Sequence, residues 1–421
     1  MRCSMQEIFR EHFGSFAATR ALHPRELRAA WCISHCYTAA LGGHLLECPD
    51  GHHSFIQYHA CRHRSCPRCA DAPRQRWLAS ALDLLLPCPH FHVVFTLPHA
   101  LIPLWEFNRA WFNQLLFDCV RQSLLQLCAD PRRLGLLPGL LMALHSWGRT
   151  LSHHPHVHCL VSAGGLTPAG TWRACRADFL LPVRPLQCLL RGKLLVHLGA
   201  ALRCARLRLP ERCDATHWRL VLRQLWREHF NVEISPAYPH GRGVAVYLAR
   251  YLKGGPLPKD RSLHLHHGIV SFGYTDHRDQ QRKTLHLRAH EFIARVLWHA
   301  PPEHQHTVRR AGLYASAHRL ERQHCRCLLQ PQAPPLPAFT ASWHPALHNL
   351  APPCPTCAKP LLVTRALAPT HRFGEFTLAP TSSTAAPGPT GRSSGPPPAW
   401  HSGRAPPMPY AAARGPSTMQ L

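Results

Sequence analysis

His153-His154-Pro155-His156-Val157-His158-Cys159-Leu160-Val161 is the stretch on which the reading of this chain turns. Side chains alternate faces along a strand, so His156, His158 and Leu160 share one face and Val157, Cys159 and Val161 the other. Two imidazoles side by side on a rigid strand can hold one divalent cation, which a lone histidine rarely does. They leave that cation under-coordinated, and His153, His154 and His92 are the candidates for a third ligand. With 35 histidines in the chain, the spacing alone recurs by chance. It needs partners.

Partners flank it on both sides. Upstream, His92-Val93-Val94-Phe95-Thr96-Leu97-Pro98 predicts a short strand closed by proline. His90-Phe91-His92, just before Phe95-Thr96-Leu97, repeats the metal-pair spacing. Downstream, Val244 to Gly254 predicts a short helix ended by glycine, with Tyr247 and Tyr251 four apart on one face. Arg250 and Lys253 on that helix either clamp phosphates or form a solvated charged face.

Other blocks join the series. Leu41-Gly42-Gly43-His44 and Cys48-Pro49-Asp50-Gly51-His52 precede Tyr58 to Cys69. Phe179-Leu180-Leu181-Pro182-Val183-Arg184 and Leu190-Arg191-Gly192-Lys193 follow, and His277 to Tyr314 closes the run. In this order, from about residue 25 to about residue 315, the chain resembles the two-tyrosine transposases of rolling-circle bacterial insertion sequences, a branch of the HUH endonucleases. The resemblance implies an α+β fold: an HUH-type core with a central antiparallel sheet carrying the metal histidines, helices on one side and the tyrosine helix nearby. It also implies cleavage of single-stranded DNA through a 5′-phosphotyrosine with a free 3′-hydroxyl, and a host helicase among the partners.

The residue types suit that chemistry. A phenol with a pKa near ~10 is a poor nucleophile unless activated. Mg²⁺ or Mn²⁺ on His156 and His158 would act as Lewis acid at the scissile phosphate. Two tyrosines allow two strand breaks to be handled in turn. A phosphotyrosine conserves the bond energy, so rejoining needs no nucleotide, and the chain has no Walker-type phosphate loop.

Cys61-x4-Cys66-x2-Cys69, with Cys48 thirteen residues earlier, supplies four thiolates at spacings suited to a structural Zn²⁺. Relatives often have Cys-x-x-Cys where this chain has Cys48-Pro49-Asp50-Gly51, so His52, His44 and Cys36 are alternative ligands. Arg62, Arg64 and Arg68 lie between the cysteines, where they would lower the thiol pKa values and could meet phosphates. Cys325-x-Cys327 with Cys354-x2-Cys357 forms either a second zinc site or a set of unbound thiols.

Lys and Arg total 48 against 22 acids among 421 residues, a formal charge of +26 that attracts a polyanion. The 19 cysteines come without an apolar leader, which points to a reducing compartment and metal ligation rather than disulfides. No long apolar run predicts a membrane span, and the expectation is a bacterial cytoplasmic, nucleoid-associated protein. The domain plan is a zinc-binding, DNA-contacting module at 1–79, a catalytic domain at 80–315, a Cys-containing extension at 316–360 and a Pro-rich disordered tail at 361–421. The rival reading is a catalytically inactive, zinc-containing nucleic-acid-binding remnant of a mobile element. The acids are too few and too scattered for a carboxylate-based two-metal nuclease.

Overall fold

Short capping signals open the fold. Ser4 accepts from the Glu7 amide while Glu7 reaches back to Ser4, starting α1 (Met5–Ala18) after the two-residue strand β1 (Arg2–Cys3). His23 and Glu26, with Pro24 in the first turn, start α2 (Pro24–His35) in the same way. A hairpin follows, β2 (Gly43–Glu47) and β3 (Ser54–Tyr58), and then α3 (Asp71–Leu84). The computed structural model describes residues 2–329 and 352–373, apart from 177, 240–242, 244, 247–254, 258–260, 277–278, 303 and 372.

The next stretch holds β4 (His90–Thr96), α4 (Ile102–Phe107), α5 (Arg109–Ala129), β5 (Leu137–Trp147), β6 (His153–Leu166) and β7 (Trp172–Ala174). After them come α6 (Val183–Arg203), α7 (Ala215–Leu225), β8 (Val232–Ile234), β9 (Leu263–His266), β10 (Ile269–Thr275) and β11 (Arg282–Arg288). α8 (Ala289–Trp298), β12 (Val308–Gly312), α9 (Arg319–Leu329) and β13 (Leu362–Leu367) complete the described elements. The fold is α+β.

The central sheet is antiparallel and runs β12-β5-β6-β4-β8, with β7 added on β6. Its register sorts the side chains cleanly. Phe91, Val93 and Phe95 of β4, Leu140, Met142 and Leu144 of β5, and Val157, Cys159 and Val161 of β6 share one face. That face packs with apolar positions of α5 and α6 in the largest core. Burying each large apolar side chain there contributes roughly 1.5–3 kcal/mol, which fixes register because a one-residue slip would expose the whole set.

The opposite face is covered in part. Leu141, Ala143 and Leu160 pack with Ala81 and Leu84 of α3, Cys325 of α9 and Ala245. Helices therefore lie on both sides of the sheet rather than on one, and they leave the histidine end of β6 to polar company.

Asn108 separates α4 from α5; its side chain donates to Leu104 O and Arg208 O and accepts from Arg208 N. The tail predicted to be disordered from 361 begins with an ordered strand, because β13 pairs with β2 and Leu361 is buried. The rest of that tail beyond 373 lies outside the described residues, as does the predicted helix from Val244 except for Ala245 and Val246. Residues of α1 and α2 share one core with α8 and with the sheet β1-β9-β10-β11, so the N-terminal helices belong to the same compact unit as the rest of residues 1–378. Among the described residues, no helix is long and apolar enough to cross a membrane.

A candidate metal centre on the central sheet

Alternation along β6 puts His156 and His158 on the face away from the large core. The hairpin between β5 and β6 then decides what stands beside them. His145 pairs with His156, and the small Ala143 pairs with His158. The His145 ring lies 4.4 Å from the His158 ring and 5.4 Å from that of His156, centroid to centroid. The three residues can each offer a ring nitrogen within 4.8 Å of the other two.

Burial sets their protonation. Loss of water holds His156 at about 4 and pushes His145 and His158 well below the usual imidazole range, with neighbouring imidazoles adding to the effect. Near neutral pH all three are uncharged, the form that ligates metals. Their outer contacts fix which nitrogen faces inward. His156 Nδ1 donates to His154 O at 2.5 Å, leaving Nε2 to face the cluster. His158 Nδ1 lies 2.9 Å from His92 Nε2, with the two rings stacked; when that Nδ1 donates, the Nε2 of His158 is the ligating atom.

The candidates for a third ligand separate. His153 pairs through Nε2 with Glu106 at 2.8 Å and stacks on Trp298. His154 offers its carbonyl to His156, and His92 backs His158 from behind. The third imidazole in the cluster is His145, which sequence reasoning missed. His90 is structural: Nδ1 contacts Cys88 O at 2.8 Å and Nε2 contacts the Tyr314 hydroxyl at 2.6 Å. Tyr247, Tyr251, Arg250 and Lys253 lie outside the described residues. Ala245, two residues before Tyr247, is fully buried in the cluster that includes Leu160 and Ala143, both on the histidine face of the sheet.

The thiol quartet expected from spacing does not assemble as one set. Cys61, Cys66 and Cys69 meet Cys36, at the end of α2, with all four sulfurs within 4.8 Å of one another. Two ligands ~2.3 Å from a tetrahedral zinc stand about 3.8 Å apart, so the Cys36–Cys69 and Cys61–Cys69 separations of 3.2 and 3.6 Å suit that ion. Cys32, one turn earlier on α2, hydrogen-bonds Cys61, and that bond pulls its thiol pKa down. The crowding drives Cys69 strongly toward thiolate through bonds from Cys36, Cys61 and Cys66. Cys48 lies elsewhere, with His52, Cys354 and Cys357. Of the other C-terminal pair, Cys325 is buried in an apolar cluster and Cys327 is exposed, apart from Cys354 and Cys357.

A family profile described as "Transposase zinc-binding domain" matches residues 8–97, and one described as "Putative transposase" matches residues 139–322. A "Putative transposase y4qJ" from Sinorhizobium fredii is 36% identical over 336 residues, covering 78% of this chain and 84% of that protein. The chain belongs to the transposase family of rolling-circle insertion sequences. The "Transposase for insertion sequence element IS801" from Pseudomonas savastanoi pv. phaseolicola is 33% identical over 291 residues, 67% of this chain and 68% of the relative. No solved structure matches the chain.

The basic residues of the transposase's zinc-binding domain divide by role. Arg62 is exposed. Arg64 is turned inward, donating to Gln305 O at 2.7 Å and Thr307 Oγ1 at 2.8 Å, and so ties the cysteine segment to the approach of β12. Arg68 lies over the Tyr37 ring and donates to Gln6 Oε1 and Cys36 O. Arg68, like Arg62, is exposed, whereas Arg64 is half-buried.

Proposed function

We propose that this transposase nicks and rejoins single-stranded DNA at the ends of its insertion sequence, with Tyr247 and Tyr251 as nucleophiles. His145, His156 and His158 would hold one divalent cation, Mg²⁺ or Mn²⁺. The observation that carries the reading is the convergence of three buried, neutral imidazoles on the sheet face whose apolar cluster also buries Ala245. Three neutral nitrogen donors from two adjacent strands suit a cation that keeps further positions for phosphate oxygens. When bound, the cation supplies Lewis-acid polarisation of the scissile phosphate.

The chain's own residues do the rest. One tyrosine oxygen attacks phosphorus as its phenolic proton leaves, the bond from phosphorus to the 3′ oxygen breaks, and that oxygen takes up a proton. The product is a 5′-phosphotyrosine and a free 3′-hydroxyl. Attack by a 3′-hydroxyl reverses the step, and the second tyrosine handles the other strand end. Cys36, Cys61, Cys66 and Cys69 hold a structural Zn²⁺. Arg62, Arg250 and Lys253 meet backbone phosphates, while Arg64 and Arg68 brace the zinc segment. A host helicase would supply single strands in the bacterial cytoplasm.

Incubation of the protein with a labelled single-stranded element terminus and Mn²⁺ tests this. A covalent protein–DNA band is expected, and it should vanish for His156→Ala/His158→Ala and for Tyr247→Phe/Tyr251→Phe. A band of undiminished intensity in either double variant would refute the mechanism.

A further inference from the structure

The Cys48 group lies across a part of the molecule that the catalytic reading does not use. β13 adds antiparallel to β2, and β2 to β3, making a separate three-stranded sheet. Two tight turns meet at its end. In the first, the Cys48 amide donates to His53 O at 2.8 Å and the Gly51 amide to Cys48 O at 2.9 Å, with Gly51 at φ 75°. In the second, the Cys354 amide donates to Lys359 O at 2.8 Å and the Ala358 amide to Cys354 O at 2.9 Å. Ala358 holds φ 59°, a left-handed conformation that alanine adopts only under constraint.

The turns aim their donors at one point. Backbone amides of Thr356 and Cys357 are hydrogen-bonded to the Cys354 sulfur, and the Lys359 amide to that of Cys357. Cys48 Sγ stands 3.5 Å from Cys357 Sγ and 3.7 Å from His52 Nδ1, and all four ligand atoms fall within 4.8 Å of one another. Ligands about 2.3 Å (sulfur) and about 2.0 Å (nitrogen) from one tetrahedral zinc take up such separations. Cys48 and Cys354 are buried with Leu46 and Leu361 in a small apolar cluster, and Lys359 pairs with Asp50 across the two turns.

We infer that Cys48, His52, Cys354 and Cys357 form a second, Cys3His zinc site that joins the N-terminal zinc-binding domain to the C-terminal segment. The three cysteines would bind as thiolates and His52 through Nδ1. Cys48 and Cys357 lie 309 residues apart, so one ion clips together distant parts of the chain. The profile match for the zinc-binding domain stops at residue 97, so this domain is completed by residues far beyond it.

Zinc content of the full chain, measured by native mass spectrometry, tests the inference. Wild type should carry one equivalent more than Cys354→Ser/Cys357→Ser, which keeps the ion at Cys36, Cys61, Cys66 and Cys69 as an internal sign that the rest has folded. Equal zinc in the two proteins overturns the inference. In the cobalt-substituted chain, His52→Cys should keep the metal count and move the visible absorption toward the pattern of four thiolates. An unchanged spectrum removes His52 from the set. Neither readout depends on DNA cleavage, so this site and the catalytic reading stand or fall separately.

Discussion

His92 does not sit among the three clustered imidazoles, yet it sets how one of them presents its nitrogen. Its Nε2 lies 2.9 Å from His158 Nδ1, and removing such a partner typically lowers metal affinity about 10–100-fold. His92→Ala should weaken Mn²⁺ binding by that factor in titration calorimetry while circular dichroism stays unchanged; equal affinity would exclude the orienting role. The buried histidines also set an acid limit. His92, His156 and His299 are held at about 4, 4 and 3 by burial, against 6.5 in the unfolded chain. Above pH 6.5 neither state is protonated at these rings and stability is complete. As pH falls from 6.5 toward 4, the unfolded chain takes protons that the folded one refuses, and stability drops by up to about 1.4 kcal/mol per pH unit for each ring. The urea midpoint of the metal-free protein should therefore fall steadily across that window, and a flat profile would contradict the buried, neutral assignment. That His156 and His158 share one sheet face was legible in the sequence because alternation is a local property. His145 was not, because it becomes a neighbour only once the hairpin register puts it opposite His156. The turn from Gly148 to Ser152 does not show it either: folding about its midpoint pairs 145 with 155, and an irregularity between His145 and Trp147 moves the partner to 156. Cys36 had been weighed as an alternative ligand, but spacing could not show that it, rather than Cys48, joins Cys61, Cys66 and Cys69.

Pattern carries the strands and fails where distant partners decide. β4 and β6 follow from period-two alternation, and their apolar side fills the largest core. Phe95 is fully buried there, so Phe95→Ala should cost about 3–5 kcal/mol in urea unfolding. A cost below about 1 kcal/mol would mean that the sheet does not close over α5 and α6 as described. Gly312, which ends β12, has φ 56°, and a Cβ there would come within 1.9 Å of Pro138 O. Gly312→Ala should thus destabilise by about 1–3 kcal/mol or more, loosening β12 from β5. β13 escaped notice because six strand-forming residues sit at the head of a Pro-rich stretch, and because its partner β2 is over 300 residues away in sequence. The break between α4 and α5 rests likewise on Asn108 meeting Arg208 across the fold. Local composition shows neither.

At the scale of the whole molecule, the charge of +26 matters for what the protein meets rather than for how it folds. Binding to a single strand should weaken with salt, each neutralised phosphate contributing about −0.7 to the slope of log affinity against log salt. Arg62→Ala should make that slope shallower by about 0.7. An unchanged slope would place Arg62 off the DNA path. The order of the two matched regions, zinc-binding first and transposase second, was legible from the cysteines clustered ahead of the histidine pair. The shared core of α1, α2 and α8 was not, since it joins residues from the two ends of the zinc and catalytic regions. The central proposal is that a cation seated on β5 and β6 serves a tyrosine that becomes covalently joined to DNA. The most direct test is peptide mapping of the trapped adduct formed with a single-stranded element end and Mn²⁺. The account predicts a 5′-phosphonucleotide on Tyr247 or Tyr251, absent when His145, His156 and His158 are replaced by alanine. A nucleotide attached to any other residue, or an adduct that forms equally well without those imidazoles, would contradict it.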